Sequence, residues 1–159
     1  MRSRGAGVRL SAMKHDKHAI EPLEKLLADS YTLYLKTHSY HWNVTGPMFS
    51  TLHTMFEVQY SELALAVDEL AERLRALGSY APGSYSQFIE RATVKEDSSV
   101  PAAEDMIKNL VADHEEVARS AKAVIEAAGK DGDDATGDLG VRRIDIHDKS
   151  AWMLRSHLA

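Results

Sequence analysis

The sequence predicts an all-α fold, a four-helix bundle with a short accessory helix in the connection between its second and third long helices. Three observations carry that prediction. Apolar residues recur at three- and four-residue spacing along four long segments. Nowhere do they alternate with the two-residue period of a half-buried strand. The connection 78–99, punctuated by turn-forming residues at both ends, is too long for a hairpin and suits a crossover between helices.

The elements follow in order. Ile20, Leu23, Leu27, Tyr31 and Tyr34 mark a first helix from 20 to about 41, with Pro22 accommodated in its opening turn. Thr45-Gly46-Pro47 stops it, because the residue before a proline is steered away from helix. A second helix over 51–77 carries the stripe Leu52, Phe56, Leu63, Val67, Leu70, Leu74 and Leu77 and ends at Gly78. Residues 85–92 can form the accessory helix. Ser99 as cap and Pro101 at the first helical position open the next long helix, which shows Met106, Leu110, Val117, Ala121 and Val124 and closes at Gly129. Residues 130–137 read as a short acidic loop, and 135–158 as the last helix, with Leu139, Ile146, Trp152 and Met153 making apolar contacts. Gly137 and Gly140 each cost that helix about 1 kcal/mol relative to alanine, and sequence alone gives no reason for them.

A chain of 159 residues supports one domain with a sizeable core and leaves little room for a second. We read 18–159 as that domain and 1–17 as a flexible basic arm, since Arg2, Arg4, Arg9, Lys14 and Lys17 face only Asp16 there. The arm is either a solvated leader or a phosphate-binding tail, and composition does not separate the two. The net charge of −5 argues against a uniformly basic, nucleic-acid-coating surface. Cysteine is absent, which removes disulfides and thiolate metal sites. No segment reaches the roughly 18 apolar residues of a membrane span, and residues 1–10 lack the apolar core of a secretion signal, so a cytoplasmic location is expected.

The chemistry gathers around His41-Trp42-Asn43-Val44-Thr45-Gly46-Pro47-Met48-Phe49 and the helix behind it. His53 and Glu57 are spaced i,i+4, as are Asp68 and Glu72, so each pair shares one helix face. In an unbroken helix His53 and Asp68 point within roughly 60° of each other but lie roughly 22 Å apart along the axis. One ion cannot touch both. Two copies packed antiparallel about a two-fold axis bring His53 and Glu57 of one copy against Asp68 and Glu72 of the other, and symmetry then makes two such sites per dimer. An imidazole and carboxylate set without sulfur suits iron, manganese or zinc and does not choose among them. Singly, each residue has a plainer use: His41 can bond carbonyls, His53 can be a satisfied core histidine, and the three acids can be solvated surface. The metal reading rests on the combination.

The pattern His41-Trp42-Asn43-Val44-x-Gly46-x-x-Phe49-x-x-x-His53, followed by Asp68-x-x-Ala71-Glu72-Arg73, resembles the signature of the Dps family, ferritin-like proteins named for DNA binding in starved cells, and the likeness extends over residues 20–158. The resemblance implies hollow dodecamers of ferritin-like four-helix subunits that oxidise Fe²⁺, usually with hydrogen peroxide in preference to dioxygen, and store the ferric product as a mineral. It implies iron-binding and catalytic roles for His41, His53 and Glu57 of one subunit and for Asp68 and Glu72 of its partner. The family often has aspartate where this chain has Glu57, which alters the reach of that carboxylate. Trp42 takes the place of an indole beside the iron site that can absorb a stray oxidising equivalent. His38, one turn before His41 on the same face, is expected behind the ligands, where it can move protons. Acidic residues at the start of the last helix line threefold pores in the family, which points to Asp134 and Asp138 as an iron path. DNA is the other expected partner, through the basic arm, and DNA compaction is the alternative function, with nucleoid association to match. A zinc or manganese bundle without redox chemistry is a third reading.

Overall fold

The computed structural model describes residues 18–159, so the arm expected over 1–17 lies outside it. Five helices follow in order: α1 (Ile20–Asn43), α2 (Phe49–Ala76), α3 (Tyr85–Arg91), α4 (Ala103–Asp131) and α5 (Asp134–Arg155), and among the described residues there is no strand. None of these helices is long and apolar enough to cross a membrane. α1, α2, α4 and α5 make the bundle, and α3 leans on α1, where Phe88 stacks on Tyr31 at 4.6 Å between ring centroids.

The apolar stripes face one another as their spacing requires. Leu23 and Leu27 of α1, Leu52, Phe56, Leu63, Leu70 and Leu74 of α2, and Met106, Leu110, Val117, Ala121 and Val124 of α4 are all buried, with Val67 and Leu77 at the margin. Truncating any of the large ones to alanine removes about 2–5 kcal/mol. Asp29, fully buried, does what no apolar residue can. Its Oδ1 accepts from the Thr93 and Val94 amides at 2.6 and 2.9 Å, and its Oδ2 accepts from Ser120 Oγ at 2.7 Å and Lys25 Nζ at 2.6 Å. One carboxylate thereby fastens the crossover to α1 and α4.

Three helix ends differ from the sequence reading, each for a local reason. Ser99 does not cap α4, because its amide and hydroxyl both donate to Asp97 Oδ1, and the helix opens instead after Ala102 with no side-chain cap. Residues 130–137 are almost wholly helical rather than a solvated loop, with Gly132 and Asp133 alone between α4 and α5. Two of their three acids are engaged: Asp131 accepts from His18 and the Ala19 amide, while Asp133 caps α5 through the Thr136 amide and pairs with Arg73. α5 ends at Arg155, and on the single protomer Trp152 and Met153 are exposed rather than packed.

Gly140 finds its explanation in packing. A Cβ there would stand 2.7 Å from Ile125 Cγ1 and 3.0 Å from the Ala121 carbonyl, so glycine lets α4 and α5 approach closely. That pair makes the most extensive helix contact in the bundle. α2 and α5, by contrast, keep their backbones apart and are joined by long side chains, with Arg143 on Glu62, Arg142 on Glu69, and Arg73 on Thr136 Oγ1 beside Asp133.

Candidate metal centre

α1 and α2 form an antiparallel hairpin whose turn is set at Gly46, where φ is +101° and a side chain would be strained. The Phe49 amide donates back to the Gly46 carbonyl at 3.0 Å, so α2 starts at once. This sharp reversal brings His41, in the last turn of α1, against His53 near the start of α2.

The two imidazoles stack with ring centroids 3.7 Å apart and planes 17° from parallel. Each bonds the other's backbone: His41 Nδ1 donates to the His53 carbonyl at 2.7 Å, and His53 Nδ1 donates to the His41 carbonyl at 2.8 Å. A carbonyl oxygen only accepts, so each Nδ1 carries the ring proton and each Nε2 keeps a lone pair. The same kind of hydrogen bond orients metal-binding histidines generally. The two hydrogen bonds fix both rings in orientation and, in the neutral form, in the tautomer that binds a cation.

Aromatic side chains enclose the pair. Phe49 stacks on His53 at 5.1 Å, Tyr60 lies edge-on to His41 at 5.1 Å, and His38 sits between Tyr60 at 4.2 Å and Trp42 at 4.0 Å. Desolvation first, and the nearby His41 second, hold the His38 pKa below its ordinary value, which keeps that ring neutral beside the pair. Trp42 is 60% exposed, a large apolar surface left uncovered next to this cluster.

The carboxylates predicted to share the ion are placed differently. Glu57, Asp68 and Glu72 are all exposed on α2. Because α2 runs unbroken from Phe49 to Ala76, Asp68 and Glu72 stand roughly 20–30 Å along the axis from His53. Among the described residues no three histidine, aspartate or glutamate side chains come together as a metal site within one protomer. The pore candidates are at the surface: Asp134 is exposed and Asp138 pairs with Arg142 one turn on.

Tyr60, against both His38 and His41, gained no role from the sequence. A second polar cluster, His114, Arg143 and His147, was also passed over. A signal for it existed: His114 stands between Leu110 and Val117 on the buried stripe of α4, and Leu139, Arg143, His147 and Ala151 repeat every four residues on α5. Polar residues on a buried stripe imply partners.

The fold and the bare histidine pair define a class, which comparison with known proteins makes explicit. Residues 20–159 match the family model described as a ferritin-like domain. DNA protection during starvation protein 2 of Bacillus anthracis is 36% identical over 143 residues, covering 90% of this chain and 98% of the relative. A low temperature-induced protein of Nostoc sp. is 42% identical over 141 residues, covering 87% of this chain and 79% of its own. Among solved structures, Dps from Vibrio cholerae O1, described as a member of a broad superfamily of ferritin-like diiron-carboxylate proteins, superposes with a TM-score of 0.88 at 30% identity over 99% of this chain and 100% of its own. The chain belongs to the Dps family.

Proposed function

We propose that this protein takes up Fe²⁺ as a substrate at sites shared between two protomers, oxidises it with hydrogen peroxide, and stores the ferric product in a hollow dodecamer, so protecting DNA in the cytoplasm from oxidative damage. The observation that carries this reading is the reciprocal bonding of His41 and His53, which leaves two adjacent Nε2 lone pairs, while among the described residues one protomer gathers no three-residue metal site by itself. Asp68 and Glu72, exposed farther along the same unbroken helix, are the complementary half that a two-fold partner supplies. Glu57, one turn beyond His53, is the acid nearest in sequence to the imidazoles and completes the set from the same protomer. The exposed Trp42, Leu35 and Leu65 give such a partner apolar surface to cover.

Each residue then has a task. His41 and His53 bind the ion through Nε2, and the carboxylates favour Fe³⁺ over Fe²⁺ by their charge, which drives the oxidation. Two Fe²⁺ give one electron each to hydrogen peroxide, which takes up two protons and leaves as two waters, so no hydroxyl radical is released. His38, neutral and in contact with the aromatic cluster, is placed to pass protons, and Trp42 to take up an equivalent that escapes. Asp134 and Asp138 draw the cation inward. Stopped-flow oxidation of Fe²⁺ by peroxide and by dioxygen, on the wild type and on His53→Ala, tests the reading: peroxide is the faster oxidant, and the variant loses the fast phase with both.

The relatives named for DNA protection support a second activity, compaction of DNA by the cationic side chains of residues 1–17. A gel-shift series over salt checks it, with retardation that falls steeply as salt rises and is gone when residues 1–17 are deleted.

A further inference from the structure

Where α2 and α5 stand apart, the bundle opens a cleft of about 500 Å³ that the iron chemistry does not use. Met55, Val58, Ile146 and Met153 give it apolar walls, Gln59 and His114 lie along its buried part, and Lys149 is at its mouth. His114 and His147 are 2% and 1% exposed, and on two of the residues that line the cleft a buried atom, His114 Nε2 and Gln59 Oε1, has no hydrogen-bond partner.

The polarity of that orphan nitrogen follows from its neighbours. Arg143, itself 2% exposed, gives both Nη atoms to the Glu62 carboxylate and brings Nη2 within 3.0 Å of His147 Nε2. A guanidinium only donates, so His147 Nε2 accepts and its Nδ1 carries the proton. That proton is donated to His114 Nδ1 at 2.9 Å, so the remaining proton of neutral His114 sits on Nε2. The chain ends in an N–H with nothing to receive it, and a buried donor left so costs about 1–3 kcal/mol. A metal ion there needs a lone pair, and reversing the chain would set His147 Nε2–H against the Arg143 N–H. The site therefore calls for an acceptor.

We propose that this cleft binds a small organic carboxylate, its head received by the His114 Nε2–H and the Lys149 ammonium, its apolar body lying between Met55, Val58, Ile146 and Met153. Lys149 is the cation among the residues lining the cleft and has no ion-pair partner among the described residues, while the one carboxylate in the lining, Glu62, is paired with Arg143. The Gln59 amide, by rotating, turns either its oxygen or its NH₂ to the ligand. The apolar walls distinguish such a ligand from inorganic phosphate, which has no surface for them.

Calorimetric titration of the assembled protein with sodium octanoate, beside inorganic phosphate, tests this. Octanoate binds and phosphate does not. Lys149→Glu, a substitution at an exposed position, weakens octanoate by about tenfold or more, the worth of one charge-assisted hydrogen bond. Met153→Trp fills the cleft from its exposed rim and abolishes binding, and in both variants Fe²⁺ oxidation is unchanged, which separates this site from the iron site. Absence of heat with millimolar octanoate, equal binding of phosphate, octanoate binding indifferent to Met153→Trp, or a zinc ion on His114 in a zinc-soaked crystal would each overturn the proposal.

Discussion

The chain holds two histidine pairs that look alike in composition and end in opposite polarity. His41 and His53 each spend Nδ1–H on a backbone carbonyl and present lone pairs, whereas His147 accepts from Arg143 and so makes His114 present an N–H. Both pairs bring together imidazoles from two neighbouring helices. What decides between a cation site and an acceptor site is the group that orients the ring: a carbonyl behind the imidazole turns it into a ligand, and a guanidinium turns it into a donor.

Substitutions break this contrast with effects of decreasing size. His53→Ala deletes one lone pair and the carbonyl contact that holds the other ring, and peroxide-driven Fe²⁺ oxidation falls by about 100-fold in stopped-flow absorbance. Arg143→Met removes the group that polarises the inner pair and strands the half-exposed Glu62, costing about 2 kcal/mol in denaturant unfolding while iron oxidation persists. Gly140→Ala forces a Cβ against Ile125 and the Ala121 carbonyl and costs about 1–3 kcal/mol, because the α4 and α5 approach that sets His114 beside His147 has no slack. Gly137→Ala, whose Cβ meets Ala128 at an ordinary 3.9 Å, is the control and stabilises by about 0.5–1 kcal/mol.

Acid sharpens the same contrast. Burial is the main cause that holds His147 well below its ordinary value and His114 down to about 3, with the Arg143 charge adding to both. The unfolded chain takes up those protons near the ordinary value of 6.5, so between 6.5 and about 3 it binds more protons than the folded one. Stability from this pair is complete above pH 6.5 and declines as pH falls. Thermal unfolding from pH 7 to pH 4.5 shows a falling midpoint, and His114→Gln flattens the slope. The outer pair responds through its ligand, since imidazole must be unprotonated to bind a cation, and anaerobic Fe²⁺ titration shows weaker binding in acid.

The sequence displayed much of this and concealed a definite part. Apolar spacing located the four long helices, and the i,i+4 pairs on one long helix implied that His53 and Asp68 cannot serve one ion within a protomer, which the unbroken α2 bears out. Ser99 misled because capping residues signal a helix start only when their hydroxyl is free, and Asp97 had claimed it. Asp131 and Asp133 looked solvated because their partners, His18, Arg73 and Thr136, are distant in sequence or supplied by a helix start. The tautomers of both histidine pairs depend on which backbone or guanidinium stands behind each ring, and that is a property of helix crossing which no spacing encodes.

The shared site has a direct test in mixed assemblies. Chains carrying His53→Ala and chains carrying Asp68→Ala with Glu72→Ala are each inactive alone and are refolded together in equal amounts. If each site takes imidazoles from one protomer and acids from the other, every mixed dimer has one doubly damaged site and one intact site, and random pairing returns about a quarter of the wild-type fast iron oxidation. Recovery at that level is the result predicted here, and mixtures no more active than their parents would contradict it.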